Sequence, residues 1–464
     1  MSTVPEIGRK ATEPPAPQGG VMQALTQFFT ALMRKYLPDP FVFVIVLTGL
    51  AVVLGMVLQH KSPLQMMDYW GKGFWSLLAF TAQIATMLAI AYVLAKSPLV
   101  DKAIDKLSAV VKTPRGAIIT ATLVGGIGSY LNWAFGLIVG AVVARKLAVA
   151  IKGVHYPLIM ASAYSGFVLY GTGLSATIPI LIATKGHPME KAMGVIPLSQ
   201  TIFTAPMLIV SLVLLITLPI LNVLAMPRRP EDVIELDPTV FQENKPSAAA
   251  PVMGTETIAW KMNHSRILCW AMALFGLIFL ARYFYAGGSL DLNSINFIIL
   301  FAGLLFMGTS ARYVSALADG AKTVGGIILQ YPCYAAIMAM LAGSGLVNTI
   351  AQWFVHVSNA HTLPLWGLVS SYFINFFAPS GGGHWVIQGP FMVEAAKNLG
   401  ADLGKTAMSV MLGNAWNDLV QPFWLLPTLA ISGLKLSDVM AYTVLAMLWS
   451  TVVLCTGVLI WGYM

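Results

Sequence analysis

Long apolar stretches separated by short polar connections run along most of the 464-residue chain. A helix that crosses a bilayer needs roughly 20 apolar residues. Continuous stretches of about that length lie near 40–59, 73–95, 196–225, 265–284, 289–308, 323–342 and 437–462. The pattern therefore predicts an all-α polytopic membrane protein.

Four further apolar stretches are interrupted by Gly, Pro, Asn, Ser or Thr. They are 116–151, broken at Asn132 to Gly136; 157–184, broken at Gly171 to Ser175; 363–400, broken at Asn375 to His384; and 406–432, broken at Asn414 to Pro422. Irregular backbone survives at bilayer depth only where protein buries it or where it lines a cavity. We predict re-entrant hairpins at 116–151 and 363–400, with two full spans in each as the alternative, and broken helices in the other two stretches.

The polar segments divide the rest of the chain. Residues 1–20 are Pro-rich and are predicted to form a disordered tail. Residues 21–39 have the helical spacing and the basic end of a helix that lies on the membrane surface. Residues 226–264 carry six acids and are predicted to form a cytoplasmic loop.

An internal repeat relates the two halves. Nine of 28 positions are identical when 73–100 is aligned with 320–347, an offset of 247 residues. Chance similarity between apolar segments is the alternative. We predict a first transmembrane repeat at 40–225, a linking helix at 265–284 and a second repeat at 285–464. One repeat crosses the membrane an even number of times and the linking helix adds one crossing, so the second repeat should be inverted.

The charges support this topology. The chain is 57% hydrophobic and only 10% charged, with a mean hydropathy of +0.76, which excludes a disordered chain, a coiled coil or an ordinary soluble enzyme. The net charge is +8, from 27 Lys and Arg against 19 Asp and Glu. With a cytoplasmic N-terminus, twenty of the 27 basic residues fall in cytoplasmic segments. The excess of basic over acidic residues thus reflects membrane topology, and no nucleic-acid partner is expected.

The breaks hold the candidate chemistry. Half-helix N-termini attract anions, and unwound carbonyls suit a cation. The candidate substrate-binding residues are Asn132, Thr172, Ser175, Asn375, Ser380, Gly381, Gly382, Gly383, His384, Asn414, Asn417 and Gln421. Each also has a structural alternative: the amides can bridge helices, the glycines can form a tight turn, and His384 can be a hydrogen-bonded structural histidine instead of a proton carrier. Asp418, an acid within an apolar stretch, is a further candidate that could equally lie at a hydrated helix break.

Several motifs carry a resemblance to a known family. They are Leu37-Pro-Asp-Pro-Phe41, Trp70-Gly-Lys-Gly-Phe-Trp75, Asn132-Trp-Ala-Phe-Gly-Leu137, Pro379-Ser-Gly-Gly-Gly-His-Trp-Val-Ile-Gln-Gly-Pro390 and Gln421-Pro-Phe-Trp424. With these motifs the chain resembles the bacterial short-chain fatty acid transporter family, from about residue 25 to the C-terminus. The resemblance implies uptake of monocarboxylates such as acetoacetate or butyrate across the inner membrane, and kinship with the wider ion-transporter superfamily. Asp418 lies outside the motif, which lowers its weight as a candidate.

We therefore predict a secondary active transporter in the inner membrane, with a proton or a sodium ion as the coupling ion and with no cofactor. The predicted partners are the carboxylate and the lipid bilayer, and a homo-oligomer is left open. No Arg or Lys is expected at membrane depth to hold the anion, so amides, hydroxyls and backbone N–H groups must do so. The alternative is a cation channel or exchanger that uses the same breaks. An enzyme is disfavoured because the spans contain no acid pair, nucleophile–base spacing or metal cluster.

Overall fold

The computed structural model describes residues 40–236, 257–376 and 378–464. The predicted tail at 1–20 and the predicted surface helix at 21–39 lie outside the described residues. The described part is built from helices and contains no strand. Eight of its helical segments, one of them the interrupted segment Tyr156–Ile182, are long and apolar enough to cross a membrane, as the all-α polytopic prediction requires.

The first half of the chain contains ten helices in the described range. They are α1 (Pro40–Gln59), α2 (Pro63–Gly73), α3 (Leu78–Ala95), α4 (Pro98–Val110), α5 (Pro114–Leu131), α6 (Trp133–Ala150), α7 (Tyr156–Ser165), α8 (Thr177–Ile182), the single turn α9 (Glu190–Met193) and α10 (Ala205–Leu224). A 3₁₀ segment, Gly166–Thr172, continues α7 towards α8.

The second half begins after the central loop. Its helices are α11 (Ile258–Asn263), α12 (Arg266–Tyr285), α13 (Leu292–Met307), α14 (Ser310–Ala321), α15 (Gly325–Ser344), α16 (Leu346–Val357), α17 (Leu363–Ile374), α18 (Gly381–Leu399), α19 (Leu403–Asp418), α20 (Pro422–Ser432) and α21 (Leu436–Tyr463).

Local sequence signals fix many helix ends. Ser62, Thr113 and Asp402 each accept a hydrogen bond from the backbone N–H three residues later, and so cap α2, α5 and α19. At the other end, Gly308 and Gly433 adopt the left-handed conformation that terminates α13 and α20.

Two predicted spans differ from the structure at their starts. The span predicted at 73–95 begins at Leu78, because Pro63–Gly73 forms a helix of its own and turns separate the two. The span predicted at 196–225 is α-helical only from Ala205. The preceding residues are irregular: Gly194 has a φ of 69°, and Pro197 follows shortly after it.

The helices recur along the chain at a nearly constant spacing. The starts of α2 to α7 precede those of α14 to α19 by 247 to 249 residues. The contacts between the two halves follow the same relation: each of the following contacts has a counterpart between the equivalent helices of the opposite halves. Helix α2 packs on α15 while α14 packs on α3; α1 packs on α15 while α13 packs on α3; α8 contacts α18 while α20 contacts α6. Such reciprocal contacts are typical of a two-fold relation between the halves. The inversion of the second repeat across the membrane stays a prediction.

The hairpins and broken helices form the centre of the molecule. We compare the most apolar 18-residue stretch of each segment. In Tyr156–Ile182, 89% of these residues are buried, whereas in α1 and in α12 only 22% are buried. The outer helices therefore present apolar surface to lipid, while the four interrupted segments pack against one another inside.

Candidate functional site

A small cavity lies between the tips of the two hairpins. Its volume is about 70 Å³. Trp133 lines it from the first tip and Ser380 from the second, while Tyr170 and Trp424 reach it from the two broken helices. The cavity is thus formed by all four interrupted segments that the sequence singled out.

The cavity also lies where the two halves meet. Three pairs of its lining residues are separated by the repeat offset of 247 positions: Ile84 and Tyr331, Trp133 and Ser380, and Thr177 and Trp424. Equivalent positions of the two repeats therefore face the same space. Transporters built from structural repeats commonly bind their substrates at such an interface.

The walls of the cavity combine apolar surface with a few hydroxyl groups. Ile84, Leu88 and Phe423 contribute apolar wall. The Tyr331 hydroxyl and the Ser380 hydroxyl lie 2.6 Å apart and share one hydrogen bond. None of the described residues that line the cavity is charged. The cavity is therefore suited to a small ligand with one polar end.

The glycine triad begins α18 and does not itself form the break. The irregular segment ends at Ser380, and the His384 N–H donates to the Ser380 carbonyl oxygen at 2.7 Å as the first helical bond. A Cβ on Gly382 would overlap the Phe80 ring, and one on Gly383 would overlap the Tyr334 ring. Glycine is needed here because the helix start approaches aromatic side chains closely.

Asn132 forms the tip of the first hairpin. Its Oδ1 accepts from the Phe135 N–H at 3.0 Å, which caps α6, while its Nδ2 is buried with no hydrogen-bond partner. Ser175 closes the same tip, because its Oγ accepts from the Trp133 N–H at 2.8 Å and donates to the Ser129 carbonyl at 3.1 Å. The first tip is thereby tied to the break between α7 and α8.

A buried polar cluster lies at the end of α17, centred on Asn375. The Asn375 Nδ2 donates to Asp418 Oδ1 at 2.6 Å and to Asn417 Oδ1 at 3.0 Å. Its Oδ1 accepts from the Asn414 amide. The Gln421 amide donates to the Asn375 carbonyl at 3.2 Å. These residues are almost completely buried, so the cluster depends on internal hydrogen bonds.

His384 extends the cluster along α18. Its Nδ1 lies 3.3 Å from Asn375 Oδ1 and its Nε2 lies 3.1 Å from the Ser371 hydroxyl. The same Nε2 bonds to Gln388, whose amide donates to Ser370 Oγ at 2.9 Å. His384 is therefore held between two helices by side chains that are all neutral.

Tyr170 joins the cluster to the cavity. It lines the cavity, and its hydroxyl lies 2.6 Å from Asn414 Oδ1 and 2.5 Å from Asp418 Oδ2. It is the last aromatic residue before the Gly171–Gly173 break. A continuous chain of hydrogen bonds thus runs from the cavity wall to His384.

The predicted site residues divide into four groups. Ser380 and Gly381 line the cavity. A second set belongs to the polar cluster behind it: Asn375, His384, Asn414, Asn417 and Gln421. A third set lies at or near the first tip without lining the cavity: Asn132, Thr172 and Ser175. Gly382 and Gly383 pack against rings.

Sequence reasoning missed two tyrosines and a glutamine. Tyr170 and Tyr331 stand in apolar stretches, where an aromatic residue is usually a packing residue. Two signals were available. Tyr170 directly precedes a helix break, and Tyr331 stands one repeat offset from Ile84. Gln388 lies four residues after His384, on the same helix face.

Metal binding finds no support in the described ranges, where no group of three or more His, Cys, Asp and Glu side chains lies close enough to hold an ion.

Comparisons with known proteins agree with this architecture. The family described as "Short chain fatty acid transporter" matches residues 21–461. Two relatives are each named "Putative short-chain fatty acid transporter". The one from Escherichia coli K12 is 38% identical over 440 residues, covering 93% of this chain and 98% of the relative. The one from Haemophilus influenzae Rd is 36% identical over 445 residues, covering 94% and 99%.

A solved structure shares the fold. The crystal structure of the YdaH transporter from Alcanivorax borkumensis, described as having an unusual topology, superposes with a TM-score of 0.52 at 14% sequence identity. The match covers 94% of this chain and 97% of that one. This likeness concerns the arrangement of helices alone.

Proposed function

Since the chain belongs to the short-chain fatty acid transporter family and is a multi-pass membrane protein, we propose that it is a secondary active transporter of the bacterial inner membrane. Its substrates would be monocarboxylates such as acetoacetate or butyrate, taken up together with a proton or a sodium ion. The observation that carries the proposal is the small uncharged cavity between the hairpin tips, at the interface of the two repeats.

The size of the cavity favours a short carboxylate. A volume of about 70 Å³ holds roughly five to seven waters at ~10–15 Å³ each. Acetate, butyrate and acetoacetate are in this size range. A longer fatty acid would need the cavity to widen into the surrounding helices.

The chemistry of the walls favours one carboxylate with a short alkyl chain. A carboxylate removed from water needs several donors. The Ser380 and Tyr331 hydroxyls use one hydrogen between them in their mutual bond, which leaves the second hydrogen for a ligand. The N-terminus of α18 adds backbone N–H groups and a favourable dipole. The alkyl chain would lie against Ile84, Leu88 and Phe423.

Coupling to a cation follows from the charge of the ligand. An anion in a cavity with no basic lining residue is stabilised when a cation binds with it, because the pair then crosses the membrane with less net charge. In the proposed cycle, the two repeats move relative to each other and expose the cavity to one side of the membrane at a time.

Reconstituted protein tests the proposal. Proteoliposomes should show saturable uptake of labelled acetoacetate or butyrate above the level of protein-free vesicles, driven by an imposed proton or sodium gradient. Cation flux that needs no carboxylate would instead support a channel or exchanger.

Variants of the cavity wall sharpen this test. Ser380→Ala and Tyr331→Phe each remove a donor, and a hydrogen bond to a charged group contributes about 1.5–3 kcal/mol. The KM for the carboxylate should therefore rise about 10- to 100-fold. Ser289→Ala, at an exposed position outside the cavity, serves as the matched control. Wild-type KM values in both cavity variants would contradict the assignment of this site.

A further inference from the structure

Asp418 is a buried acid at the centre of the polar cluster. It is the last residue of α19 and is fully buried. Its Oδ1 accepts from Asn375 Nδ2 at 2.6 Å, and its Oδ2 lies 2.5 Å from the Tyr170 hydroxyl. The Tyr164 hydroxyl donates to its backbone carbonyl. Both side chains that contact the carboxyl group are neutral, so hydrogen bonds and not an ion pair stabilise it.

Counting hydrogens shows that this network needs one more proton than an ionised Asp418 provides. The Tyr170 oxygen is in hydrogen-bond contact with Asn414 Oδ1 at 2.6 Å and with Asp418 Oδ2 at 2.5 Å. A phenol carries a single hydrogen and can donate to only one of these two oxygens. If Tyr170 donates to Asn414, the second contact requires a hydrogen on Asp418 Oδ2, donated to the Tyr170 oxygen.

Rotating the amide groups does not remove this requirement. Turning the Asn414 amide would let it donate to Tyr170, but its oxygen would then face Asn375 Oδ1, two acceptors in contact. Turning the Asn375 amide as well would place its oxygen against Asp418 Oδ1, and that contact again needs a hydrogen on the carboxyl group. Each of these arrangements is complete only when Asp418 is protonated.

The titratable groups that face Asp418 come from three elements. Tyr164 lies on α7, Tyr170 lies on the 3₁₀ segment, and His384 on α18 reaches it through Asn375. Tyr170 is the one of these three that lines the cavity. It therefore offers the shortest route for a proton from the cavity to the carboxyl group.

We propose that Asp418 is the site that binds the coupling proton, and that Tyr170 connects it to the cavity. This inference rests on the proposed function and identifies its coupling ion. As a proton from cavity water binds the Tyr170 oxygen, the phenolic hydrogen moves to Asp418 Oδ2. One O–H bond forms at each oxygen, the original phenolic bond breaks, and Tyr170 ends neutral. The charge of Asp418 changes from −1 to 0.

Proton binding and carboxylate binding should favour each other. A protonated Asp418 removes a negative charge from the polar network next to an anion site, and a bound anion favours that protonation by the same amount. When Asp418 is ionised, Tyr170 must donate to it, and Asn414 Oδ1 loses its donor. The contact between the 3₁₀ segment and α19 thus depends on whether the proton is bound.

Calorimetry with the purified protein tests the proposal directly. Butyrate is titrated into wild-type protein in buffers of different ionisation enthalpy, between about pH 5 and about pH 8. At pH values where Asp418 is mostly deprotonated before butyrate binds, we expect one proton to be taken up for each bound butyrate. In that range, the affinity for butyrate should fall about tenfold per pH unit. Butyrate binding without proton uptake across this pH range would overturn the proposal, independently of the behaviour of any variant. Absence of butyrate binding and transport would instead contradict the proposed function itself.

Three variants assign the effect to Asp418. Asp418→Asn reproduces the hydrogens of the protonated acid, since its amide can donate to Tyr170 and accept from Asn375. In vesicles, it should lose gradient-driven accumulation to the level of protein-free vesicles, and the pH dependence of its butyrate exchange should flatten. Asp402→Asn, at the exposed cap of the same helix, is the matched control, because Asn also caps helices. Wild-type pH dependence in Asp418→Asn, or its loss in His384→Gln alone, would contradict the assignment.

Discussion

Among single residues, His155 shows how burial sets a pH limit on the fold. It lies just before α7, where its Nδ1 accepts from the Ile234 N–H at 3.0 Å and its Nε2 lies 3.0 Å from the Tyr442 hydroxyl. Burial lowers the pKa of His155 from 6.5 to about 4, against a smaller opposing effect of Asp232. The folded state therefore holds His155 neutral, and this histidine links the central loop to the N-terminal part of α21.

We expect this histidine to make the fold sensitive to acid. Since the pKa is lower in the folded state than in the unfolded state, the contribution of His155 is complete above about pH 6.5 and is lost as the pH falls towards 4. The difference corresponds to roughly 3 kcal/mol. Thermal unfolding of the detergent-solubilised protein across this range measures it. His155→Gln should show a flatter dependence on pH, and an unchanged slope would contradict this account.

At the same scale, the sequence predicted the types of site residue better than their partners. Asn375, Asn414 and Asn417 were identified because amides are rare within apolar stretches. The position of Asp418 between Asn375 and Tyr170 was not predictable, since it depends on contacts between residues about 40 and 250 positions apart. Because Asp418 lies outside the family motif, the sequence makes it a weaker candidate for the site than its position in the structure does.

Among the elements, the first hairpin depends on glycine contacts. A Cβ on Gly136 would overlap the backbone of Ser129, and one on Gly128 would lie 2.9 Å from the Gly136 Cα. Gly140, one turn further along α6, similarly faces Gly125. Small residues at such spacing let helix backbones approach closely in membranes. The sharpness of the hairpin thus follows from residues that contribute no side chain.

Alanine substitutions should separate close packing from helix propensity. Gly136→Ala should lower the free energy of unfolding by about 1–3 kcal/mol, since the backbone of Ser129 cannot move away cheaply. Gly49→Ala, in α1 where nothing lies within 4 Å, should be neutral or slightly stabilising, because Ala favours helix. Thermal unfolding of the two variants measures this difference. Equal effects would contradict the packing argument.

The interruptions of helices were predictable because Gly, Pro and Asn mark them, and the structure breaks all four segments as expected. The exact residues at which each interruption begins and ends were less predictable. The stretch Gly381–Gly383 was predicted to be part of the break but forms the first turn of α18. Glycine permits both conformations, and packing against Phe80 and Tyr334 favours the helical one here.

For the whole molecule, the repeat predicts opposite orientations for equivalent segments. Asp101 on α4 and Asn348 on α16 are both exposed and stand one repeat offset apart. In a variant without Cys269, Cys333 and Cys455, a cysteine at position 101 should react with an impermeant maleimide from the cytoplasmic side alone. A cysteine at position 348 should react from the opposite side alone. Labelling of both from the same side would contradict the inverted repeat.

The reciprocal contacts between the halves also constrain how the chain matures. Helix α8 of the first half contacts α18, and α20 of the second half contacts α6. The ribosome releases α8 more than 200 residues before α18 exists. The spans of the first half are therefore inserted into the membrane before their partners are made, and the polar break before α8 is incompletely buried during that time. Assembly of this protein should be post-translational and slow, and its first half should be vulnerable to membrane proteases until synthesis is complete.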